Sequence, residues 1–448
     1  MELLIPPEVD AILNRFTENG REAYAVGGCV RDSLLGLEPH DWDVATSALP
    51  EETERIFSDR RVIETGLKHG TVTVLWNGMS VEVTTYRVDG PYSDGRHPDG
   101  VAFTRSLEED LARRDFTVNA LAYRKEAGLV DCFGGRRDLA DGVIRCVGDA
   151  DVRFREDGLR ILRALRFAST LGFSIEEKTA ESAVRNRGLL DRIAGERIRE
   201  EFLKLLCGRG AVPVLRRYRE IIAQFLPELR PAFGFEQHNP HHSYDVWEHT
   251  LHSVEAVEPE SVLRLTMLLH DIGKPFCFTR GADGVGHFYG HPEKSAELAR
   301  AILDRLRFDR KTASAVVTLV KSHGLPLLPE ERCLRRRLNL LGERNLRLLV
   351  RVEEADAKSK ASPDEAYLAA LGKIPAALDR MLAERQCFRL KDLAVDGNDL
   401  LRAGVPEGAA VGETLRALLG AVLDGRCANS KPELLRYALG RKGGSAGE

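Results

Sequence analysis

Residues 40–47 read HDWDVATS, which places two carboxylates, Asp41 and Asp43, two positions apart. If the segment is extended, side chains at positions i and i+2 point to the same face, so both carboxylates converge on one point. Like charges that close need a cation, and a hard divalent ion such as Mg²⁺ prefers carboxylate and phosphate oxygens as ligands. The alternative is a solvated turn in which Asp41 caps the next element, so the neighbouring sequence must decide.

The segment AVGGCVRDSLLG, residues 25–36, precedes the aspartate pair. Its glycines Gly27 and Gly28 leave the backbone bare, and a helix predicted over VRDSLL would aim free amide groups at an anion. Arg31 could add a bidentate donor to a phosphate. A glycine turn alone could be purely structural. Beside the carboxylate pair, it indicates a site for a nucleoside triphosphate and a metal ion, as in nucleotidyltransferases.

The whole chain has 448 residues, of which 43% are hydrophobic, and it is predicted to form about three domains. The start, MELLIPPEVD, has no basic segment followed by an apolar core, and no apolar run approaches the ~20 residues that span a bilayer. We therefore expect a soluble protein with no export signal and no membrane partner. Eight cysteines are scattered without a CxxC pair, which argues against disulfides and thiolate zinc sites and favours a reducing cytoplasm.

The chain changes character near residue 145. Before it, β-rich runs such as TVTVLW and VEVTTYRV mix with helical stretches and glycine-rich turns, as in α/β regions. Beyond it, GLRILRALRFASTLGF and RIREEFLKLL carry apolar residues every three to four positions with arginines between them, which predicts helices. We therefore predict an α+β protein, with a mixed sheet and helices in a head followed by all-helical regions.

Domain boundaries are predicted from the same changes in composition. The stretch PELRPAFGFEQHNPHH, rich in proline and histidine, interrupts the helical pattern and is interpreted as a linker at about 227–243. The predicted division is a head at 1–144, a helical neck and body at 145–230, a histidine-rich helical domain at 231–360, a C-terminal helical region at 361–440 and a disordered tail at 441–448.

Three further stretches complete a set of motifs: ARRDFTVNALAY at 112–123, DCFGGRRDL at 131–139 and EDGLRILRALRF at 156–167. With GGCVRD and DWDVAT, the sequence resembles the class II tRNA nucleotidyltransferases, the bacterial CCA-adding enzymes that share a head domain with bacterial poly(A) polymerases. That family's motifs run GGxVRD, DxDxAT, RRDFTxNA, DxFGGxxDL and EDxxRxLRAxRF. All five occur here in order, with Cys132 where proline is common. The resemblance covers essentially all of the chain except its last few residues.

This resemblance implies a polymerase-β-like head that adds nucleotides to the 3′ end of tRNA without a template, using CTP and ATP and releasing pyrophosphate. Asp41 and Asp43 match the catalytic pair that holds two Mg²⁺ ions, one activating the RNA 3′-hydroxyl and the other gripping the triphosphate. Glu82, in the strand VEVTTYR, could be a third carboxylate or an outward-facing strand residue. The positions that match nucleotide-binding residues of the family are Gly28, Arg31, Arg114, Asp157, Arg160, Arg163 and Arg166.

Asp157 and Arg160 lie three apart on a predicted helix, so their side chains should be neighbours. Cytosine and adenine both present an amino donor beside a ring-nitrogen acceptor, whereas uracil and guanine present the reverse. The resemblance assigns base reading to this pair, and each bad pairing should cost about 1 to 3 kcal/mol. Residues spaced three apart rotate progressively around the axis of a helix, so the four residues from 157 to 166 cannot all face one base. Arg163 and Arg166 are therefore predicted to make phosphate or tertiary contacts. The alternative is an ordinary amphipathic helix with solvated arginines.

The sequence leaves open which nucleotides the reaction adds. TGLKHGTVTV at 65–74 resembles the CCA-type strand region, and DGPYSDGRHPDGV at 89–101 resembles the flexible loop of CCA-adding and A-adding members. These features favour full CCA addition, with A-only addition or poly(A) synthesis as alternatives. We expect the acceptor stem and 3′ end of tRNA to bind the helical body and the C-terminal region, where VDGNDLLRAGVPEGAAVG resembles the family's tail. The oligomeric state is open between monomer and dimer.

Histidines cluster in the second half of the chain. The order H, HD, H, H, D resembles the metal-dependent HD phosphohydrolases, and many CCA-adding enzymes carry such a domain. The set could hold two ions of Mn, Ni, Co or Fe, bridged by Asp271, that activate a water for phosphoester hydrolysis. The candidate ligands are His249, His270, Asp271, His291, His323 and Asp356. The histidines interpreted as surface, linker or capping residues are His238, His241, His242, His252 and His287.

Two other classes of function remain open. The chain could be chiefly an HD hydrolase with an inactive head, although the intact Asp41 and Asp43 argue against this. It could also be an RNA-binding scaffold that uses its arginine-bearing helices, where runs such as LRRRLNLL could equally be solvated faces. The net charge of −4 does not exclude RNA, because binding depends on where positive charge lies.

Overall fold

The structure is a computed structural model that describes residues 3–90, 92, 100–238, 244–360 and 362–440. The predicted tail at 441–448, His241 and His242, and most of the loop at 89–101 lie outside the described residues. The chain divides into two compact units, Met1–Pro227 and Glu228–Glu448. The finer division into four domains and a tail remains a prediction.

The first unit contains a seven-stranded mixed sheet with the strand order β3-β4-β5-β2-β1-β8-β9. Strands β2 and β5 are parallel, and every other neighbouring pair is antiparallel. A separate antiparallel hairpin is formed by β6 and β7. The bounds are β1 (Ala23–Val26), β2 (Asp43–Thr46), β3 (Arg61–Gly66), β4 (Thr71–Trp76), β5 (Met79–Thr85), β6 (Arg87–Asp89), β7 (Val101–Phe103), β8 (Leu121–Arg124) and β9 (Gly128–Asp131).

Helices flank this sheet and then make up the rest of the unit. One short parallel pair, β10 (Val143–Ile144) with β11 (Ser174–Ile175), lies among them. The helices are α1 (Pro7–Glu18), α2 (Gly28–Leu34), α3 (Pro50–Ile56), α4 (Leu107–Ala112), α5 (Gly135–Asp141), α6 (Ala150–Glu156), α7 (Leu159–Leu171), α8 (Glu177–Arg185), α9 (Gly195–Leu206), α10 (Ala211–Arg217) and α11 (Arg219–Phe225).

Hydrophobic patterning explains these elements. In β5, Val81 and Val83 are buried whereas Ser80 and Glu82 are exposed, as the alternation of a strand requires. Helix α7 buries its apolar face against α9 and leaves arginines at every third position of its other side. The strands predicted from TVTVLW and VEVTTYRV and the two predicted helices are confirmed as β4, β5, α7 and α9, and so is the α+β class.

The second unit is helical apart from one small antiparallel hairpin. Helices α12 to α16 pack on one another around apolar side chains, with Trp247, Leu263 and Met267 among the fully buried ones. Helix α16 bends at Gly342, whose φ is 72°. The bounds are α12 (Val246–Ala256), α13 (Ser261–Leu269), β12 (Thr279–Arg280), β13 (Gly286–His287), α14 (His291–Arg305), α15 (Arg310–Ser322), α16 (Glu331–Lys358), α17 (Glu365–Leu371), α18 (Ile374–Ala383), α19 (Gly397–Arg402), α20 (Ala409–Leu423) and α21 (Lys431–Gly440).

None of the helices in the described part of the chain combines the length and the apolar character needed to cross a membrane.

Candidate functional site

A cavity of about 750 Å³ lies in the first unit at the start of β2. Its walls come from α2, from β2, from the segment after α4 and from the junction of α6 with α7. The structure therefore brings together motifs that lie more than 100 positions apart in the sequence. All nine residues predicted for the head site line this cavity: Gly28, Arg31, Asp41, Asp43, Arg114, Asp157, Arg160, Arg163 and Arg166.

The backbone conformation that places the two aspartates at this cavity differs from the prediction. Strand β2 begins at Asp43, and Asp41 lies in a bend just before it, so the expectation of one extended segment is wrong for Asp41. Trp42 between them is only 7% exposed, so its buried ring anchors the bend. Both carboxylates line the cavity.

Glu82 lies opposite Asp43 in the parallel ladder between β2 and β5. Burial raises the pKa of Asp43, and the charges of Glu82 and Asp41 raise it further, while Arg114 opposes them. The raised pKa reports burial first and repulsion from neighbouring carboxylates second, and a bound cation would offset both. This set of oxygen donors fits a hard divalent ion such as Mg²⁺.

Arg114 lies directly against the glycine turn. Gly27 has a φ of +80°, a backbone conformation that favours glycine, and a Cβ atom there would lie 2.7 Å from Arg114 Nη1 and displace this guanidinium. Arg114 Nη2 lies 3.4 Å from Asp110 Oδ2, and its buried Nε has no hydrogen-bond partner. A partly exposed guanidinium with spare donor capacity is suited to binding an anion.

Asp115 and Asn119 organise two of the arginines, and the sequence reasoning missed both. Asp115 Oδ2 accepts hydrogen bonds from Arg163 Nε at 2.9 Å and Nη2 at 2.7 Å, while its Oδ1 accepts one from Asn119 Nδ2 at 2.9 Å. Asn119 Oδ1 in turn accepts one from Arg31 Nη1 at 2.6 Å. Burial opposes ionisation of Asp115, but Arg163 and Asn119 outweigh it and lower its pKa to about 2. The signal was available, since both residues belong to the RRDFTVNA stretch.

Asp157 and Arg160, which are predicted to read the base, do not lie on one helix as predicted. Asp157 is the C-cap of α6, and α7 begins only at Leu159, so Asp157 and Arg160 face the cavity from a junction of two helices. Asp157 Oδ1 accepts a hydrogen bond from the Leu159 amide at 3.0 Å, and its Oδ2 accepts one from Arg197 Nη2 at 2.9 Å. Arg197, on α9, also lines the cavity and was not predicted.

The arginines of the cavity are held by counter-ions and by one aromatic ring. Arg160 pairs with Glu156 and donates to the Arg113 carbonyl at 3.3 Å. Arg166 Nε lies 2.5 Å from Glu201 Oε2, so Arg163 and Arg166 do make the expected tertiary contacts. The guanidinium carbons of Arg166, Arg31 and Arg163 lie 3.8, 4.9 and 5.5 Å from the centre of the Phe167 ring.

The second unit brings all six predicted HD ligands together from five helices. His249 lies on α12 and Asp356 near the end of α16, while His291 is the first residue of α14. His270 and Asp271 directly follow α13, and His323 directly follows α15. Two groups have all their ligand atoms within 4.8 Å of one another: His249, His270 and Asp271 in one, and Asp271, His291 and His323 in the other.

Asp271 belongs to both groups because its two oxygens face opposite ways. Its Oδ2 lies 3.4 Å from His249 Nε2 and 3.2 Å from His270 Nε2. Its Oδ1 lies 3.4 Å from His291 Nε2 and 3.5 Å from His323 Nε2. Asp356 Oδ1 completes the first group, 3.0 Å from His249 Nε2. This geometry matches a carboxylate that bridges two cations.

The histidine rings are oriented by hydrogen bonds that fix their tautomers. In His270, His291 and His323, Nδ1 lies 2.7, 2.7 and 2.5 Å from the carbonyl oxygen three residues earlier. A carbonyl only accepts, so Nδ1 carries a proton and each Nε2 faces the centre. The Nε2 atoms of His291 and His323 lie 3.1 Å apart, and those of His249 and His270 lie 3.3 Å apart. The Nε2 atoms could therefore bind a cation when unprotonated, and this donor set fits a transition metal.

Two lysines adjoin the carboxylates of this centre, and the sequence reasoning missed both. Lys274 Nζ lies 2.7 Å from Asp271 Oδ2 and donates to Gln237 Oε1 at 2.9 Å. Lys360 Nζ lies 3.3 Å from Asp356 Oδ2. The described histidines that were set aside, His238, His252 and His287, belong to neither ligand group.

Comparisons with known proteins match three parts of the chain to family models. These are "Poly A polymerase head domain" over residues 23–145, "Probable RNA and SrmB- binding site of polymerase A" over 172–233, and "tRNA nucleotidyltransferase domain 2 putative" over 291–438. A CCA-adding enzyme of Limosilactobacillus reuteri is 36% identical over 427 residues, covering 95% of this chain and 94% of that protein. The chain belongs to the CCA-adding enzyme family.

Other CCA-adding enzymes match more locally. One from Lactobacillus delbrueckii subsp. bulgaricus is 48% identical over 223 residues, which are 50% of this chain and 55% of that enzyme. The chain thus spans about half the length of this relative. The crystal structure of the CCA-adding enzyme of Bacillus stearothermophilus in complex with CTP is similar over 98% of this chain and 99% of its own, with a TM-score of 0.70 and 30% identity.

The matched ranges cover part of each site. Of the second site, His291, His323 and Asp356 lie within the third range. Of the first site, the residues of the α6–α7 junction lie between the first two ranges. The head-domain model includes Asp41, Asp43, Glu82 and Arg114. Residues 234–290, which contain His249, His270 and Asp271, lie outside all three matched ranges. The family models therefore do not distinguish the two sites, and the similarity to the Limosilactobacillus reuteri enzyme covers 95% of this chain.

Proposed function

We propose that this protein adds C, C and A to the 3′ end of tRNA, using CTP and ATP and releasing pyrophosphate. The observation that carries the proposal is the convergence of four separated motifs, at 27–32, 41–46, 113–120 and 156–167, on one cavity. In each step, the tRNA 3′-hydroxyl oxygen forms a bond to the α-phosphorus of the triphosphate. The bond from that phosphorus to the β-phosphate oxygen breaks, pyrophosphate leaves, and the hydroxyl proton passes to solvent.

The carboxylates are assigned to metal binding and the arginines to binding of the triphosphate. Asp41, Asp43 and Glu82 would hold Mg²⁺, which when bound supplies charge neutralisation and activation of the hydroxyl. Arg114, with its unpaired buried Nε, binds triphosphate oxygens, and the bare Gly27–Gly28 turn lets the phosphates approach the backbone. Because Asp115 and Asn119 hold Arg163 and Arg31 in place, little side-chain ordering remains for the substrate to drive.

Base selection is assigned to Asp157 and Arg160. The carboxylate accepts from the amino group of C or A, and the guanidinium donates to the ring nitrogen. Uracil and guanine would place an acceptor against the carboxylate and an N–H against the guanidinium, which costs about 1 to 3 kcal/mol for each bad pairing. The likeness to the Bacillus stearothermophilus enzyme in complex with CTP supports this use of the cavity.

The decisive experiment supplies purified protein with tRNA that lacks its 3′ end, adds CTP and ATP separately and together, and sequences the products. We expect two C residues from CTP and a following A from ATP, with both lost in the Asp41→Ala and Asp43→Ala variants. Incorporation of A alone, onto tRNA that already ends in CC, would instead establish A-only addition. Extended A tails would establish a poly(A) polymerase.

A second activity, metal-dependent phosphoester hydrolysis, is favoured by the six converging ligands of the second unit. The ligand set would hold Mn, Ni, Co or Fe, which when bound activates a water molecule. The water oxygen forms a bond to phosphorus, the ester P–O bond breaks, and one water proton ends on the leaving oxygen.

The test loads the protein with each of these metals and measures release of p-nitrophenol from bis(p-nitrophenyl) phosphate. We expect the His270→Ala variant to lose this activity while still adding nucleotides to tRNA. If the parent protein hydrolyses no phosphoester with any of the four metals, the second activity is excluded.

A further inference from the structure

The two carboxylates of the HD centre are each paired with a lysine, and in Asp356 this lysine contacts the oxygen that faces away from the histidines. Asp271 Oδ2 is paired with Lys274 at 2.7 Å, and Asp356 Oδ2 with Lys360 at 3.3 Å. In Asp356, the other oxygen, Oδ1, faces His249 and His270 at 3.0 and 3.5 Å. Lys360 therefore reaches the centre from the side opposite to its histidines.

Burial separates the roles of these two lysines. Lys274 is 6% exposed, is held by Gln237 and lies 5.4 Å from the centre of the Phe288 ring. The side chain of Lys360 is 35% exposed and forms an ion pair with Asp356. Only the Lys360 ammonium can therefore exchange its partner for a molecule arriving from solvent without leaving a buried charge unpaired.

Lys360 also lies beside the part of the centre that is exposed to solvent. Among the six ligands, the side chains of His291 and Asp356 are 22% and 19% exposed, while those of the other four are at most 5% exposed. A substrate must therefore approach past His291 and Asp356, and Lys360 borders this opening. Its backbone is anchored, because the preceding Ser359 is buried and donates to the Asp356 carbonyl at 2.7 Å.

We propose that Lys360 forms an oxyanion-binding subsite at the mouth of this centre, which takes a non-bridging phosphoryl oxygen of the substrate. The inference rests on the proposed phosphohydrolase function. An ammonium beside a bound phosphoryl group donates a charge-assisted hydrogen bond and offsets the negative charge that concentrates there during attack by water. Phosphate monoesters, which carry two negative charges, gain more from this contact than diesters, which carry one.

The test compares Lys360→Met, Lys360→Arg and the matched control Lys358→Met. Lys358 is an exposed lysine two residues earlier, at the end of α16, and lies near Glu258. Inorganic phosphate is titrated into the metal-loaded full-length proteins by calorimetry, and the bound metal is counted by elemental analysis. We expect Lys360→Met to weaken phosphate binding about tenfold, the loss of one charge-assisted hydrogen bond. Lys360→Arg and Lys358→Met should stay within about threefold of the parent.

The metal count separates this role from a merely structural one. If Lys360 only neutralised Asp356, removing its charge would strengthen metal binding and leave phosphate affinity unchanged, which would overturn the inference. The same conclusion follows if the metal-loaded parent binds no phosphate. Failure of the phosphohydrolase proposal is a different result, in which phosphate binds and depends on Lys360 but no ester is hydrolysed.

Discussion

At the scale of single residues, Asp115 carries a buried negative charge that holds Arg163 directly and Arg31 through Asn119. It touches no predicted metal position, yet it sets the direction of two guanidinium groups that line the nucleotide cavity. Residues of this kind lower the cost of binding because the donors are in place before the substrate arrives.

We predict that Asp115→Asn raises the KM for CTP and ATP about tenfold or more, because Arg163 loses its charged partner. Steady-state kinetics on tRNA lacking its 3′ end measures this effect. Asp59→Asn is the matched control, since Asp59 pairs with Arg15 at the surface and does not line the cavity. An unchanged KM in Asp115→Asn would show that Arg163 does not depend on this carboxylate.

The same residue predicts a pH dependence of stability. The folded-state pKa of Asp115 is about 2, below the unfolded value of about 3.9. The ionised form therefore contributes about 2 to 3 kcal/mol above pH 4, and this contribution is lost as the pH falls from about 4 towards 2. Chemical unfolding of the parent and of Asp115→Asn should show a difference in the free energy of unfolding that is constant above pH 5 and shrinks below pH 4. A difference that grows on acidification would contradict the assignment.

At the scale of elements, side chains of α9 hold residues at the junction of α6 and α7, which is proposed to read the base. Arg197 and Glu201 lie four apart on one face of α9, where Arg197 holds Asp157 and Glu201 holds Arg166. The junction itself is tight, because a Cβ atom at Gly158 would lie 2.9 Å from Leu189 Cβ. Packing of α7 on α9 thus places the groups that we propose select the base.

Replacing Arg197 with Met should relax base selection and not simply slow the enzyme. Without its anchor, Asp157 can turn away from the base, so the ratio of kcat/KM for CTP over UTP should fall about tenfold, the value of one charge-assisted hydrogen bond. The measurement compares all four triphosphates on the same tRNA, with Arg199→Met, a neighbour on α9 that does not line the cavity, as the control. An equal loss for all four would indicate a structural role only.

At the scale of the whole molecule, the two candidate sites belong to different compact units. Each unit has its own buried apolar core, with Tyr86 and Leu111 in the first and Trp247 and Leu263 in the second. A ligand stabilises the unit that binds it by RT ln(1 + [L]/Kd), or about 2.7 kcal/mol at a hundredfold excess over Kd.

Ligands of the two sites should therefore act separately in calorimetric unfolding. We expect CTP with Mg²⁺ to stabilise the parent but not the Asp41→Ala variant, and Mn²⁺ alone to stabilise the parent but not the His270→Ala variant. Each variant should keep its response to the other ligand. Loss of both responses in either single variant would show that the sites depend on one another.

The sequence by itself determined the order of the motifs, the α+β class, and the fifteen residues that meet in two clusters. These follow from sequence because residue types and spacings limit which groups can bind a cation or a phosphate. Only the tertiary structure decided how those groups are held. In the structure, Asp41 lies in a bend and Asp157 is a helix C-cap, contrary to prediction. The structure also shows the ion-pair partners of Asp115, Arg197, Lys274 and Lys360. The physical reason is that periodicity predicts neighbours along one element, whereas the partner of a buried charge is set by packing between elements far apart in the chain.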